Sequence, residues 1–213
     1  MKKLTKSVLL LITIFSLSFI ISCSKDDTND NNDEPNTETS INTTDADGLI
    51  FMREEEKLAR DAYIYMHKEW GLQIFKNISG SEQNHMDLLL KRVDQYKLTD
   101  IVSQDTGVFN NQDLQILYNQ LIAQGKDSLI AGLIVGATIE EVDIVDLKKY
   151  IDATDNEDLK CTYDVLLIGS RNHLRAFVRT MNNNNYSYSP QFLSQTDYDA
   201  IINASHKSGH SCD

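Results

Sequence analysis

The sequence predicts an all-α protein, and three observations carry that prediction. Only 2 Pro and 9 Gly occur in 213 residues, so the turn signals that a sandwich or barrel needs roughly every 8–12 residues are missing. With 41% hydrophobic residues, the chain can bury a core large enough to offset the entropy of ordering it. From residue 47 onward, apolar residues recur at steps of three and four in four long stretches, the spacing that lines one face of a helix. The charge balance excludes a class of partner. There are 20 Lys and Arg against 32 Asp and Glu, a net charge of −12, whereas affinity for nucleic acid is built on cations neutralising phosphates.

Residues 1–22 stand apart from the fold. Lys2, Lys3 and Lys6 precede an apolar run from Val8 to Ile21, the pattern of a secretion signal. The run closes on Ile20-Ile21-Ser22-Cys23, which resembles the lipobox of bacterial lipoproteins and implies cleavage before Cys23 and lipidation of that residue. The rival reading, a transmembrane anchor, suffers from a run that is short for a span. Loss of Lys2, Lys3 and Lys6 moves the formal charge from −12 to −15. Residues 23–46 hold one strongly apolar side chain after the cysteine, Ile41, and read as a disordered acidic tether. They lack the ligand spacing and central glycine of an EF-hand loop. The expected location is the cell envelope, with the chain anchored to a membrane through the N-terminal lipid.

The helical domain is expected over 47–205. Leu49, Met52, Glu56, Ala59, Tyr63 and Met66 share one face of a first helix, with Asp45 or Asp47 as N-cap and Gly71 as its stop. Phe75, Ile78, Glu82, His85, Leu89, Val93 and Tyr96 form the stripe of a second helix, in which Glu82 and His85 are surface neighbours. A start at Ser79-Gly80-Ser81 would instead leave Glu82 as a first-turn cap. Residues 97–127 read as a long connection with its own short helix from Asn111 to about Ala123. A third long helix, capped by Asp127 or Ser128, carries Leu133, Ala137, Glu140, Ile144, Leu147 and Ile151, with Asp143 one turn past Glu140. Glu141 falls on the neighbouring stripe with Ile134 and Lys148. A fourth, from about Glu157 to Met181, aligns Leu159, Tyr163, Leu166, Ser170, His173, Phe177 and Met181. The tail from 182 carries a short helix from about Thr196 to Ala204 and packs as a cover, and residues 206–213 are expected to be flexible.

Each long stripe is thus interrupted by a polar residue. An isolated buried carboxylate costs several kcal/mol unless something neutralises it. When four facing helices each carry a carboxylate or an imidazole, a shared cation is the economical partner. Glu-x-x-His places both groups on consecutive turns toward one metal in a bundle core. Oxygen and nitrogen donors suit iron or manganese, with zinc also compatible. The bland alternative pairs Glu56, Glu82 and Glu140 with Arg60, Arg171 or Arg175 and leaves His85 and His173 as hydrogen-bonded core residues.

The phrases REEEKLARDAY at 53–63, SEQNHM at 81–86, GATIEEVDI at 136–144 and GSRNHLRAF at 169–177 carry a family resemblance. The stretch from about 48 to 203 is similar to the family catalogued as domain of unknown function 2202, and its first half resembles the rubrerythrin and ferritin-like di-iron proteins. The resemblance implies a ferritin-like four-helix bundle with a long crossover between the second and third long helices and a short C-terminal helix. It also implies metal ligands at Glu56, Glu82, His85, Glu140 and His173. The sequence departs from the di-iron pattern at Ser170, where the second Glu-x-x-His would supply a carboxylate. Asp143 is the residue placed to compensate; without that compensation the site holds one iron, holds two weakly, or holds none.

Cys161 and Cys212 remain after lipidation, and in an exported chain they either join or stay free. His206, His210 and Cys212 crowd the tail and offer a weaker, soft-metal alternative. Two functions follow. One is an oxidoreductase acting on oxygen, peroxide or ferrous ion, with Tyr63 as a nearby redox or hydrogen-bonding residue. The other is a non-catalytic envelope binding or scaffold module with an acidic surface. A homodimer is compatible with either.

Overall fold

The computed structural model describes residues 41–209 and Cys212. The expected signal peptide, Cys23 with its lipid, most of the tether, and His210 lie outside the described residues. Among the described residues six helices and no strand occur: α1 (Thr43–Trp70), α2 (Gln73–Gln95), α3 (Gln112–Gly125), α4 (Leu129–Ala153), α5 (Glu157–Asn183) and α6 (Gln195–Asn203). None of these helices is long and apolar enough to cross a membrane.

Local chemistry sets the helix ends. Helix α1 begins four residues before the expected Asp47, because the Asn42 side chain accepts from the Asp45 backbone N–H at 2.9 Å and takes the capping role assigned to Asp45 or Asp47. At the other end Gly71 adopts φ 67° and donates its N–H to the His67 carbonyl, a left-handed cap that glycine supplies without a Cβ penalty. Helix α2 does not start late at Ser79-Gly80-Ser81. It runs through them from Gln73, because Phe75 and Ile78 are buried on the same face as Leu89 and Val93. Asn111, Ser128 and Asn156 cap α3, α4 and α5, each with its side-chain oxygen on a first-turn N–H.

The pairing of the long helices follows from their stripes. Helix α1 packs along α2 and α4, α5 packs along α4 and α2, α3 lies on α1 and α4, and α6 lies on α5. Tyr63, Phe75 and Phe177, one each from α1, α2 and α5, join in an aromatic cluster with ring centroids 5.3 to 6.5 Å apart. That cluster passes close to α4, where a Cβ on Gly136 would come within 2.5 Å of the Phe177 ring.

Helix α1 is buried on more than its apolar stripe, and its charged residues hold the long connection. Arg53 forms an ion pair with Asp100 at 2.7 Å, and Glu54 accepts from the N–H groups of Asn110 and Asn111 at 2.7 and 3.0 Å. Lys57, wholly buried, donates to Asp61 and to the carbonyls of Asp105 and Val108, and sits 4.4 Å from the Phe109 ring centre. These groups are satisfied by partners that arrive from about fifty residues away, which is why burying them is tolerable.

The segment after α5 folds back over the helices. Glu141, expected to be the less inward of the pair 140–141, is fully buried. Its Oε2 accepts from the N–H groups of Gln191, Phe192 and Leu193 at 2.9, 2.6 and 2.9 Å. Its stripe faces the returning tail instead of water. Cys161 and Cys212 are joined in a disulfide. Arg92 donates to the Cys212 carbonyl at 3.0 Å, and Asn172 donates to the Lys207 carbonyl at 2.8 Å. The expected flexible tail is therefore tied to α2 and α5 at these points, and the disulfide removes Cys212 as a thiolate for the soft-metal alternative. Replacing Glu141 by Ala would leave three N–H groups without their acceptor. A loss of about 1–3 kcal/mol in denaturant unfolding is expected, with faster proteolysis between 184 and 194; an unchanged midpoint would show that the carboxylate does not anchor the tail.

Candidate metal centre

Glu56 on α1, Glu82 and His85 on α2, Glu140 on α4 and His173 on α5 converge in the space between the four long helices, all of them buried. Their ligand atoms form two triads, Glu56–Glu82–His85 and Glu82–Glu140–His173, within each of which all atoms lie within 4.8 Å of one another. Glu82 belongs to both. Its Oε2 is 2.8 Å from His85 Nδ1 and its Oε1 is 2.9 Å from His173 Nδ1, so one carboxylate stands between two imidazoles whose ring centres are 5.7 Å apart.

The contacts have the distance of hydrogen bonds without their alignment. Glu82 Oε1 and His173 Nδ1, 2.9 Å apart, each lack an aligned hydrogen-bond partner, and so do Glu56 Oε1 and Asp143 Oδ1. His85 Nδ1 does align with Glu56 Oε2 at 3.2 Å. Buried polar atoms are nearly always satisfied, and orphans clustered at one point are what a missing shared partner leaves behind. A cation among three carboxylates and two imidazoles gives Glu56, Glu82 and His173 a common partner, and the donor set of oxygen and nitrogen without thiolate suits iron, manganese or zinc.

Surrounding groups hold these side chains in place. Tyr63 donates its hydroxyl to Glu140 Oε1 at 2.5 Å, and His173 Nε2 meets Ser81 Oγ at 3.0 Å. Gly169 provides room for His85: a Cβ there would sit 2.6 Å from the imidazole's Cε1 and Nε2. Neither Ser81 nor Gly169 stands out in the sequence, because each acts through a neighbour on another helix. The arginine alternative is not met. Arg60 is taken up by Asp61 and Gln83, and Arg175 by the Ile201 carbonyl and Asn172. Among the described residues no Lys or Arg forms an ion pair with Glu56, Glu82 or Glu140.

Asp143 stands outside both triads. Its carboxylate bonds to the hydroxyl of Ser170, the residue found where a second Glu-x-x-His would carry its acid. Burial, then the charges of Glu56, Glu55 and Glu140, push its carboxyl well above the usual range. Glu55, which the sequence reading passed over, is also buried. Burial first and then the charge of Asp146 on α4 push its carboxyl well above the usual range. The signal available for Glu55 was its place in an unbroken run of acids, 54–56, which no single helix face can accommodate.

Without a metal, protons do the neutralising. Burial raises Glu56 to about 7 despite the opposing charge of His85, and raises Glu140 to about 7 despite His173. Burial pushes Glu82 up as well, but His173 and His85 outweigh it and hold the carboxyl far below the ordinary value. Burial lowers His173, and Glu82 and Glu140 overcome it to bring the imidazole to about 10.

Residues 45–205 match the family model described as "Uncharacterized protein domain (DUF2202)". The chain belongs to this family. It is 49% identical over 170 residues to "Uncharacterized protein MJ0754" of Methanocaldococcus jannaschii, an alignment that covers 79% of this chain and 92% of that protein. The crystal structure of hypothetical protein MJ0754 from Methanococcus jannaschii superposes with a TM-score of 0.77 at 46% identity, covering 84% of this chain and 100% of the other.

Two predictions follow from the geometry. In metal-depleted protein, Glu56 and Glu140 retain protons up to about 7 that the unfolded chain loses near 4.5, so their burial penalty grows as pH rises through that window. The His173 contribution is complete below its unfolded value of 6.5 and is lost as pH rises through about 10. The melting temperature of metal-depleted protein should therefore fall between about pH 5 and about pH 9, less steeply in Glu140→Gln, while the gain from added metal grows because binding expels protons. A flat profile, or one unchanged by Glu140→Gln, would contradict the assignment. Second, Gly169→Ala should weaken metal retention by about tenfold or more through displacement of His85, and the melting temperature of the metal-depleted protein should fall as well, because the displaced imidazole no longer faces Glu56 and Glu82. Unaltered retention would show that His85 does not need the space.

Proposed function

We propose that this chain is an exported, lipid-anchored metalloprotein. In this reading its helical domain is a ferritin-like four-helix bundle, with the connection between α2 and α4 as the crossover, binding one or two iron ions through Glu56, Glu82, His85, Glu140 and His173. The observation that carries the reading is the pair of buried Glu/Glu/His triads sharing Glu82, with their unpartnered oxygens and nitrogen. A shared carboxylate between two triads favours two ions, with Glu82 common to both; manganese and zinc suit the same donors. Asp143 is held by Ser170 and enters the proposal as a flanking acid.

Iron so held would supply redox chemistry on oxygen, peroxide or incoming ferrous ion. The chain's own residues have definable parts in that reaction. Glu56 and Glu140 carry protons near neutrality and give them up as cation charge arrives, so the site changes its proton content with its metal content. Tyr63 fixes the Glu140 carboxylate through its hydroxyl, and its own proton is held firmly, by burial first and then by the charge of Glu140. Ser81 orients His173. The apolar wall of Tyr63, Phe75 and Phe177 excludes water from one end of the site.

Export is supported by the Lys-rich start, the apolar run and the Ile20-Ile21-Ser22-Cys23 pattern, and by the Cys161–Cys212 bond, since disulfides persist in oxidising compartments. The domain layout proposed is a signal peptide at 1–22, a tether from lipidated Cys23 to about 42, the helical domain, and the tail pinned by Cys212. The membrane is then its neighbour at the cell envelope, and a homodimer is compatible with this arrangement.

Aerobic addition of ferrous iron to metal-depleted protein is expected to produce a saturable rise in near-ultraviolet absorbance, with retained iron measured by mass spectrometry after desalting. The double variant Glu82→Ala, His85→Ala should lose both. Equal uptake by parent and double variant would dispose of the iron reading.

A further inference from the structure

A second concentration of unpartnered charge lies elsewhere on the same helices, and its sign is opposite. A cleft between α4, α5 and the α6 segment is lined by Lys148, Arg171, Arg175 and Lys207 against only two carboxylates, Asp164 and Asp197. Its volume, about 490 Å³, falls in the roughly 300–1,000 Å³ range of small-molecule sites. In a chain with a net charge of −12, gathering four cations around one concavity runs against the general field of the molecule.

The side chains are only partly neutralised by one another. Lys148 reaches Asp197 at 3.6 Å across a largely solvated gap, a weak pair. Arg175 uses its two terminal nitrogens on the Ile201 carbonyl and Asn172, which braces the guanidinium against α6. Arg171 makes no hydrogen bond or ion pair among the described residues, and its Nε is fully buried with no partner. It also stands one turn from Arg175 on α5, a like-charge i,i+4 pair that costs free energy unless an anion lies between. A guanidinium is a planar fork of five donors, matched to phosphate or carboxylate oxygens in pairs.

The position of the cleft separates it from the metal centre. Arg171 lies two residues from His173, about 200° around the helix axis, so the two side chains leave α5 on different sides. The far wall, residues 204–207, is held in place by the Asn172–Lys207 bond and, further along, by the Cys161–Cys212 bond. The 204–207 wall of the cleft is therefore held to α5 by a hydrogen bond.

We propose that this cleft is a binding site for a compact multivalent oxyanion, gripped by the free guanidinium of Arg171 with Lys148, Arg175 and Lys207 around it. Phosphoryl and polycarboxylate groups share the required chemistry. The site does not depend on the metal reading, because none of its lining residues belongs to either triad.

Isothermal titration of the metal-depleted intact chain with inorganic pyrophosphate and, separately, with citrate tests the proposal at low and at physiological ionic strength. Saturable one-to-one binding of at least one probe is expected, surviving physiological salt because a half-buried guanidinium is poorly screened. Arg171→Gln should weaken it by about tenfold or more, Lys68→Gln on α1 should leave it unchanged, and Asp164→Asn should tighten it. Whichever probe binds names the class. If Arg171→Gln fails to fold, the tightening by Asp164→Asn decides. Binding of neither probe, heats that vanish at physiological salt, or equal affinity in Arg171→Gln and the parent would overturn the proposal.

Discussion

Glu82 is the point at which the four long helices are tied to one another. Its two oxygens face His85 of its own helix and His173 of α5, and those imidazoles face Glu56 of α1 and Glu140 of α4. Each of the four long helices, α1, α2, α4 and α5, therefore contributes to one buried electrostatic unit. Its cost in the absence of a cation is visible in the protons it recruits: two glutamates raised to about 7 and a histidine raised to about 10. The remaining structure can be understood as what is required to hold that unit together in a medium where an unpaired charge costs several kcal/mol.

The protein buries charge in two ways, and the contrast separates architecture from chemistry. Lys57 with Asp61, Arg53 with Asp100, Glu54 with the start of α3, and Glu141 through its Oε2 with the returning tail find donors or acceptors within the chain. They fix the long connection and the tail to the helices. Glu56, Glu82 and His173 are buried just as deeply, yet Glu56 Oε1, Glu82 Oε1 and His173 Nδ1 have no aligned partner and belong to residues of two triads that share Glu82. Burial alone does not distinguish the two groups. The convergence of unsatisfied groups from several helices does.

Helix α5 shows the same division within a few residues. Its GSRNHLRAF phrase sends Ser170 and His173 toward the carboxylates between the helices and Arg171 and Arg175 into a cleft on another side, while Gly169 gives up its side chain to make room for His85. Short motifs of this kind look like a single signature in the sequence, although their members serve separate sites.

The sequence by itself determined the helices and the inward register of the buried Glu and His side chains, because both are consequences of a 3.6-residue period acting over twenty or more residues. Glu56, Glu82, His85, Glu140 and His173 were legible for that reason, each breaking an apolar stripe. Helix starts were less so: Asn42 displaced Asp45 as a cap because a local side-chain contact outweighs pattern at a terminus. What only the tertiary structure decided was which charge meets which. The burial of Glu141 is not legible in the sequence because the tail segment whose N–H groups bind its Oε2 lies about fifty residues away, and that of Glu55 is not because its neighbour Asp146 belongs to another helix. Asp143 bonds to Ser170 instead of completing a triad. The joining of Cys161 to Cys212 likewise depended on where the chain returned. Periodicity is a property of consecutive residues, whereas pairing is a property of distances between remote ones, and only folding fixes those distances.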